Sequence, residues 1–157
     1  TNWVLLHIQG DANFLLPDPV ETLAATRNLV DRGFVVLPMI QPDPILADAL
    51  EGWGASAFFV LGAPLGSLLG LESPAMLDRL VSRCRVPVIL AGGIATPSQA
   101  ASAMERGVAA VCVQTAIAIS PDPVRMAAAF RQAVEAGRAH YELGESKPSS
   151  LTAFLGG

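Results

Sequence analysis

Five times along the chain a short apolar run rich in β-forming residues ends in a loop, and five times a helix start follows it. The runs are WVLLHI (3–8), FVVLPM (34–39), AFFVLG (57–62), VPVIL (86–90) and AAVCV (109–113). The starts are Asp18-Pro19, Asp43-Pro44, Ser73-Pro74, Thr96-Pro97 and Asp122-Pro123. In each, a side chain able to accept an orphan amide stands before a proline, which has no amide to lose in the first turn. Glu21, three residues after Asp18, has the spacing of a capping box, and Gly33 and Gly107 supply helix stops. Ile45, Leu46, Ala49, Leu50 and Trp53 fall on one helical stripe, as do Met76, Leu77, Leu80, Val81 and Cys84. Helices with such stripes cover a sheet.

Repeated βα units with near-continuous apolar strands predict an α/β fold whose parallel sheet is buried on both faces. Two architectures fit: an open doubly wound sheet, and part of an eight-stranded (β/α) barrel of the TIM type. The glycines favour the barrel, because such barrels often hold phosphate in the loops after their last two strands, at backbone amides and a helix N-terminus. Here the last two strands run into AGGIATP and QTAIAISPDP. Taken as strands seven and eight, they make the first visible strand the fourth. The expectation is therefore a barrel truncated to the last five of eight βα units, with three more upstream of Thr1. Residues 1–157 are read as a single domain, with 142–157 as its C-terminal tail.

The chain has 157 residues, 52% of them hydrophobic, which suits one core of ordinary domain size. A net charge of −4 with no basic run argues against nucleic acid and against an anionic membrane as partners. No apolar run reaches membrane-spanning length. Cys84 and Cys112 do not form a spaced pair, which fits reduced thiols and a cytoplasmic location. His7 and His140 lie far apart in sequence, so no metal cluster and no cofactor are expected.

In "VPVILAGGIATPSQA" (86–100), Gly92 and Gly93 remove side chains where a phosphate would approach, ahead of the helix opened by Thr96-Pro97. Gln114 and Thr115 are expected beside them across adjacent strand ends. Asp18, Asp43 and Asp122 read as helix caps because of the proline after each. Ser67 has no paired His or Asp and reads as a phosphate or turn hydroxyl, while Arg138 and His140 lie near a helix end, where cations balance the dipole.

These residues also carry a family resemblance. LLPDPVETL (15–23), GFVVLP (33–38), GAPLGS (62–67), VPVILAGGIATPS (86–98), TAIAISPDPVRMA (115–127) and AVEAGRAHY (133–141) resemble the thiazole synthase of bacterial thiamine biosynthesis, and so does the tail SSLTAFL. The resemblance needs no gap from Leu5 to Tyr141. It implies a (β/α) barrel that condenses 1-deoxy-D-xylulose 5-phosphate with dehydroglycine, taking sulfur from the thiocarboxylate tail of a small carrier protein, and that assembles as a homo-oligomer. It also implies that the phosphosugar is held at Gly66, Gly92, Gly93, Gln114 and Thr115, with Gln114 standing where the family has Asn.

The chemistry departs from that pattern. Where the family reads VKLEVIGD this chain reads VLLHIQGD, so the Schiff-base Lys falls on Leu5 and a nearby Glu on His7. The Asp of the family's DAGIG motif falls on Ala91. Only a deprotonatable amine forms an iminium with a ketone, and carboxylates move protons in the rearrangement. Leu and Ala do neither. Alternation turns Val4, Leu6 and Ile8 toward helices and Leu5, His7 and Gln9 toward the barrel interior, which makes His7 the candidate for proton transfer. The single lysine, Lys147, is read as part of a surface tail. Two functions remain: a thiazole synthase-like protein, and a non-catalytic or repurposed paralogue that binds a phosphosugar or the sulfur carrier without Schiff-base chemistry.

Overall fold

A computed structural model describes residues 1–10, 13 and 15–144 of the chain. Its elements run β1 (Trp3–Leu6), α1 (Pro19–Asp31), β2 (Val35–Ile40), α2 (Pro44–Gly52), β3 (Phe58–Leu61), α3 (Pro74–Arg83), β4 (Val88–Ala91), α4 (Pro97–Glu105), β5 (Ala110–Cys112), α5 (Thr115–Ala118) and α6 (Pro123–Leu143). All strand pairs are parallel, and the spatial order is the chain order, β1-β2-β3-β4-β5. A doubly wound sheet reverses its strand order and carries helices on both faces. Here the order never reverses, and α1 packs on α2, α2 on α3, and α4 on α6. That winding is an arc of a (β/α) barrel, and it removes the open-sheet alternative.

The helix starts follow from local chemistry. Asp18 accepts the amides of Val20 and Glu21 at 2.9 and 3.0 Å, and Asp43 those of Ile45 and Leu46 at 2.9 and 3.1 Å. Asp122 accepts Arg125 N at 3.0 Å. The two-way capping box forms at α4, where Thr96 Oγ1 accepts Gln99 N and Gln99 Oε1 accepts Thr96 N. Ser73 departs from expectation: it occupies the N-cap of α3 but its hydroxyl makes no capping bond.

The core lies between the helices and one face of the sheet. Val36, Ile40, Phe58 and Val60 are fully buried against Leu50, Leu77 and Leu80 of α2 and α3. Burial on both faces, expected from the apolar strands, holds only in part: Leu5 on the opposite face is 51% exposed, because five strands do not close an interior around it. The α2 stripe is also rotated from the sequence expectation, with Ala47 and Leu50 fully buried and Ile45 81% exposed. Cys84 leaves its stripe as the extended C-cap of α3. In the segment 142–157, α6 continues through Leu143 with Gly144 as its C-cap, and residues 145–157, Lys147 included, lie outside the described residues.

Ion pairs fasten the helices in series. Arg83 grips both oxygens of Asp48, which links α3 to α2 and holds the Asp48 carboxyl below the usual carboxylate range. Arg106 bonds both oxygens of Asp78 at 2.8 and 2.7 Å, joining the end of α4 to α3. Arg138 donates to the carbonyls of Val108 and Ala109 at 2.8 and 3.0 Å, so it ties α6 to the start of β5 and does more than balance a dipole. Between α4 and α6 the contact is closest at Gly137, where a Cβ would meet the Ala101 carbonyl and Met104 Cβ. Gly137→Ala is therefore expected to lower unfolding stability by about 1–3 kcal/mol in denaturant titration, against the gain that alanine brings to a helix with open space at that position.

Candidate functional site

A cavity of about 300 Å³ opens at the C-terminal ends of the strands, on the sheet face turned away from the helices. Strand register explains its walls. Met39 pairs with Phe59, and Ala91 with Cys112, so these side chains share a face with Leu5. Leu5, His7, Met39, Phe59, Ala91 and Cys112 all line the cavity. So do Gly66, Gly92, Gly93, Gln114 and Thr115. The binding positions read from the sequence, Gly66, Gly92, Gly93, Gln114 and Thr115, thus meet His7 at one place, while Ser67 does not line it.

The loops show how. Loop 62–73 is stitched to the end of β4 by Gly62 N, which donates to Ala91 O at 2.9 Å, and Gly70 N, which donates to Gly93 O at 2.7 Å, while Glu72 N closes the loop on itself by donating to Gly62 O at 3.0 Å. Gly92 and Gly93 have φ of 72° and 77°. A Cβ on Gly92 would meet Ala63 O at 2.6 Å, and one on Gly93 would meet the Gly70 carbonyl and Ala63 Cβ. The space these glycines leave is therefore filled by the neighbouring loop, which corrects the expectation that they clear room for an anion. Gly66 is different. Its φ is 79°, and the nearest atom to a Cβ placed there is Thr115 Oγ1 at 3.8 Å, across the cavity edge.

Gln114 occupies the N-cap of α5, a helical turn absent from the sequence reading, and Thr115 opens it. Around α4, the amides of Ala95 and Thr96 are already taken by the Gln99 side chain at 2.8 and 3.2 Å. The helix start at Thr96-Pro97 thus uses several of its amides internally, and the cavity's polar side chains are His7, Gln114 and Thr115. Ser67 Oγ accepts Leu69 N at 3.4 Å as a turn hydroxyl. Beside it Leu68, which lines the cavity, holds a positive φ of 58°, a conformation that costs a non-glycine residue energy. His7 Nε2 is shut off from solvent without a hydrogen-bond partner among the described residues.

Among the described residues the walls bear no Asp, Glu, Lys or Arg. Among the described residues no three His, Cys, Asp or Glu side chains gather as metal ligands, and no helix is long and apolar enough to cross a membrane. Met39, Phe59 and Cys112 went unnoticed in the sequence. Their alternation within a strand was visible, but their common face depends on register.

The two cysteines differ in reactivity for a physical reason. Cys112 is exposed at the cavity, whereas burial, then the negative charges of Glu51 and Asp48, push the Cys84 thiol up to about 11. A raised thiol pKa means less thiolate at a given pH. Iodoacetamide at pH 8 is expected to label Cys112 first, as read by peptide mass mapping. Cys84 labelling should then climb about tenfold per pH unit up to the region of pH 11. Equal labelling of both at pH 8 would contradict this arrangement.

The family model for the thiazole biosynthesis protein ThiG matches residues 1–153. Thiazole synthase from Porphyromonas gingivalis is 54% identical over 162 aligned positions, covering 99% of this chain and 62% of the relative. A thiazole synthase from Escherichia coli is 51% identical, with 99% and 63% covered. The chain thus spans about three-fifths of the length of the curated relatives it matches. Among solved structures, the BexX/CysO complex of Amycolatopsis orientalis contains a chain with a TM-score of 0.88 and 38% identity, covering 93% of this chain and 59% of that one. The YdjI aldolase of Escherichia coli, at 20% identity and a TM-score of 0.54, shares the fold. With this match over nearly its whole length, the chain belongs to the ThiG thiazole-biosynthesis family.

Proposed function

We propose that this chain serves thiazole formation in thiamine biosynthesis by binding 1-deoxy-D-xylulose 5-phosphate, or a similar phosphosugar, in the strand-end cavity. The observation that carries the proposal is the convergence of Gly66, Gly92, Gly93, Gln114 and Thr115, with His7, on that one cavity. In this reading Gly66, Gln114 and Thr115 face the phosphate, and Gly92 and Gly93 hold the loop that brings Gly66 to it. His7 is the group able to move a proton. The proposed partner is a small sulfur-carrier protein, and the crystallisation of a 38% identical chain within a two-protein complex supports a protein partner. The same reading includes assembly of several copies, and free thiols support a cytoplasmic setting.

A second reading, a paralogue that binds without Schiff-base chemistry, is favoured by one specific observation. Leu5 and Ala91 line the cavity at the positions matched to the family's Lys and Asp, and no amine among the described residues lines it. The two readings share a binding step and part at the imine.

Calorimetric titration with 1-deoxy-D-xylulose 5-phosphate and with 1-deoxy-D-xylulose tests the shared step. The phosphorylated sugar is expected to bind at least about tenfold tighter, and Thr115→Val to weaken it severalfold by removing a hydroxyl donor. Equal affinities for the two sugars would remove the phosphate site. Borohydride reduction in the presence of the phosphosugar separates the two readings. No stoichiometric adduct is expected on this chain, and Leu5→Lys is expected to yield one, mapped to position 5 by mass spectrometry. An adduct on Lys147 of the unaltered chain would return the lead to imine-forming catalysis.

A further inference from the structure

Among the described residues two non-glycines, Leu15 and Leu68, take positive φ. Leu15 is exposed, whereas Leu68 packs against the core cluster and lines the strand-end cavity. Leucine lacks the short polar side chain that eases this conformation in Asn or Asp, so it persists only where the surroundings impose it. Here the backbone on both sides is tied down. Ser67 N donates to Pro64 O at 3.1 Å, Leu69 N to Ser67 Oγ at 3.4 Å and Gly70 N to Gly93 O at 2.7 Å. The two neighbouring leucines then part: Leu69 is 64% exposed, and Leu68 turns its isobutyl group inward.

We propose that Leu68 is the size-limiting residue of the cavity, a side chain set in its wall so that a five-carbon phosphosugar fits and a bulkier one does not. This rests on the phosphosugar reading above and narrows it from ligand class to ligand size. At about 300 Å³ the cavity stands at the small end of the range for small-molecule sites, so one isobutyl group in its wall takes a substantial share of the space. The wall on that side yields little. Behind the loop, Gly92 and Gly93 are already met by its own backbone, and the backbone at Leu68 cannot retreat without breaking the bonds at Ser67, Leu69 and Gly70. A rigid wall rejects added bulk more sharply than a soft one, because overpacking forces strained rotamers or backbone shifts.

The test is calorimetric titration of the unaltered chain, Leu68→Ala and Leu68→Gly with 1-deoxy-D-xylulose 5-phosphate and with D-fructose 6-phosphate, whose sixth carbon and ring add bulk. The unaltered chain is expected to favour the five-carbon ester at least about tenfold. Both variants are expected to narrow that ratio severalfold by binding D-fructose 6-phosphate more tightly. Equal affinities in the unaltered chain, or a ratio that neither variant changes, overturn the proposal. A ratio narrowed only through loss of affinity for the five-carbon ester overturns it too, since Leu68 would then be a contact and not a limit. If neither ester binds the unaltered chain, the phosphosugar reading falls and the size limit with it. Thermal unfolding supplies a second readout. Ala keeps the unfavourable φ that Gly accepts, so Leu68→Gly is expected to melt about 2–4 °C above Leu68→Ala. A glycine variant that melts no higher than the alanine variant would overturn the imposed conformation on which the placement of Leu68 depends.

Discussion

The site depends on one contact between backbones. Loop 62–73 lies so close against the end of β4 that Gly92 and Gly93 can carry no Cβ, and both take positive φ to make the approach. Two hydrogen bonds, from Gly62 to Ala91 and from Gly70 to Gly93, hold it there. Backbone packed on backbone leaves little freedom for rearrangement, because no side chain can change rotamer to absorb a shift. Gly66 reaches Thr115 as a result, and the ends of β3, β4 and β5 share one wall.

The elements were legible because their signals are local. Alternating apolar runs and Asp-Pro or Thr-Pro starts depend on neighbours a few residues away, and all five strands and their helices stand where those signals put them, with ends shifted by one to two residues. What depends on distant partners was harder to read. The four-residue α5 lacks a side-chain cap bond, so nothing local announced it. Ile45 fitted a helical stripe, yet the core chose Ala47 and Leu50, a choice made by the sheet beneath. Met39, Phe59 and Cys112 face the cavity through a register that sequence alone does not set. At Gly92 and Gly93 the glycine signal is local, but the loop whose atoms take up the space beside them is set by distant residues.

The turns that shape the cavity and the position at Leu5 draw on different parts of this architecture. Gly66, Gly92 and Gly93 occupy turns that the chain must make in order to fold, so the same residues that close the loops also shape the cavity. The position at Leu5 has no such duty. It sits half exposed on the open face of the sheet, where one side chain can replace another without disturbing the helix-facing core. A fold of this kind can therefore keep its pocket while the side chain at that position changes, so function follows from the site and not from the barrel.

The unreversed strand order has a consequence for how the chain acquires its structure. Each strand pairs with the strand one βα unit away, β1 with β2 and on to β4 with β5, and α4 and α6 flank that last pairing. Every sheet contact then closes a loop of about the same modest length, and closure entropy grows only slowly with that length. Folding can begin at any adjacent pair and spread along the arc in either direction, so no single distant encounter sets its pace.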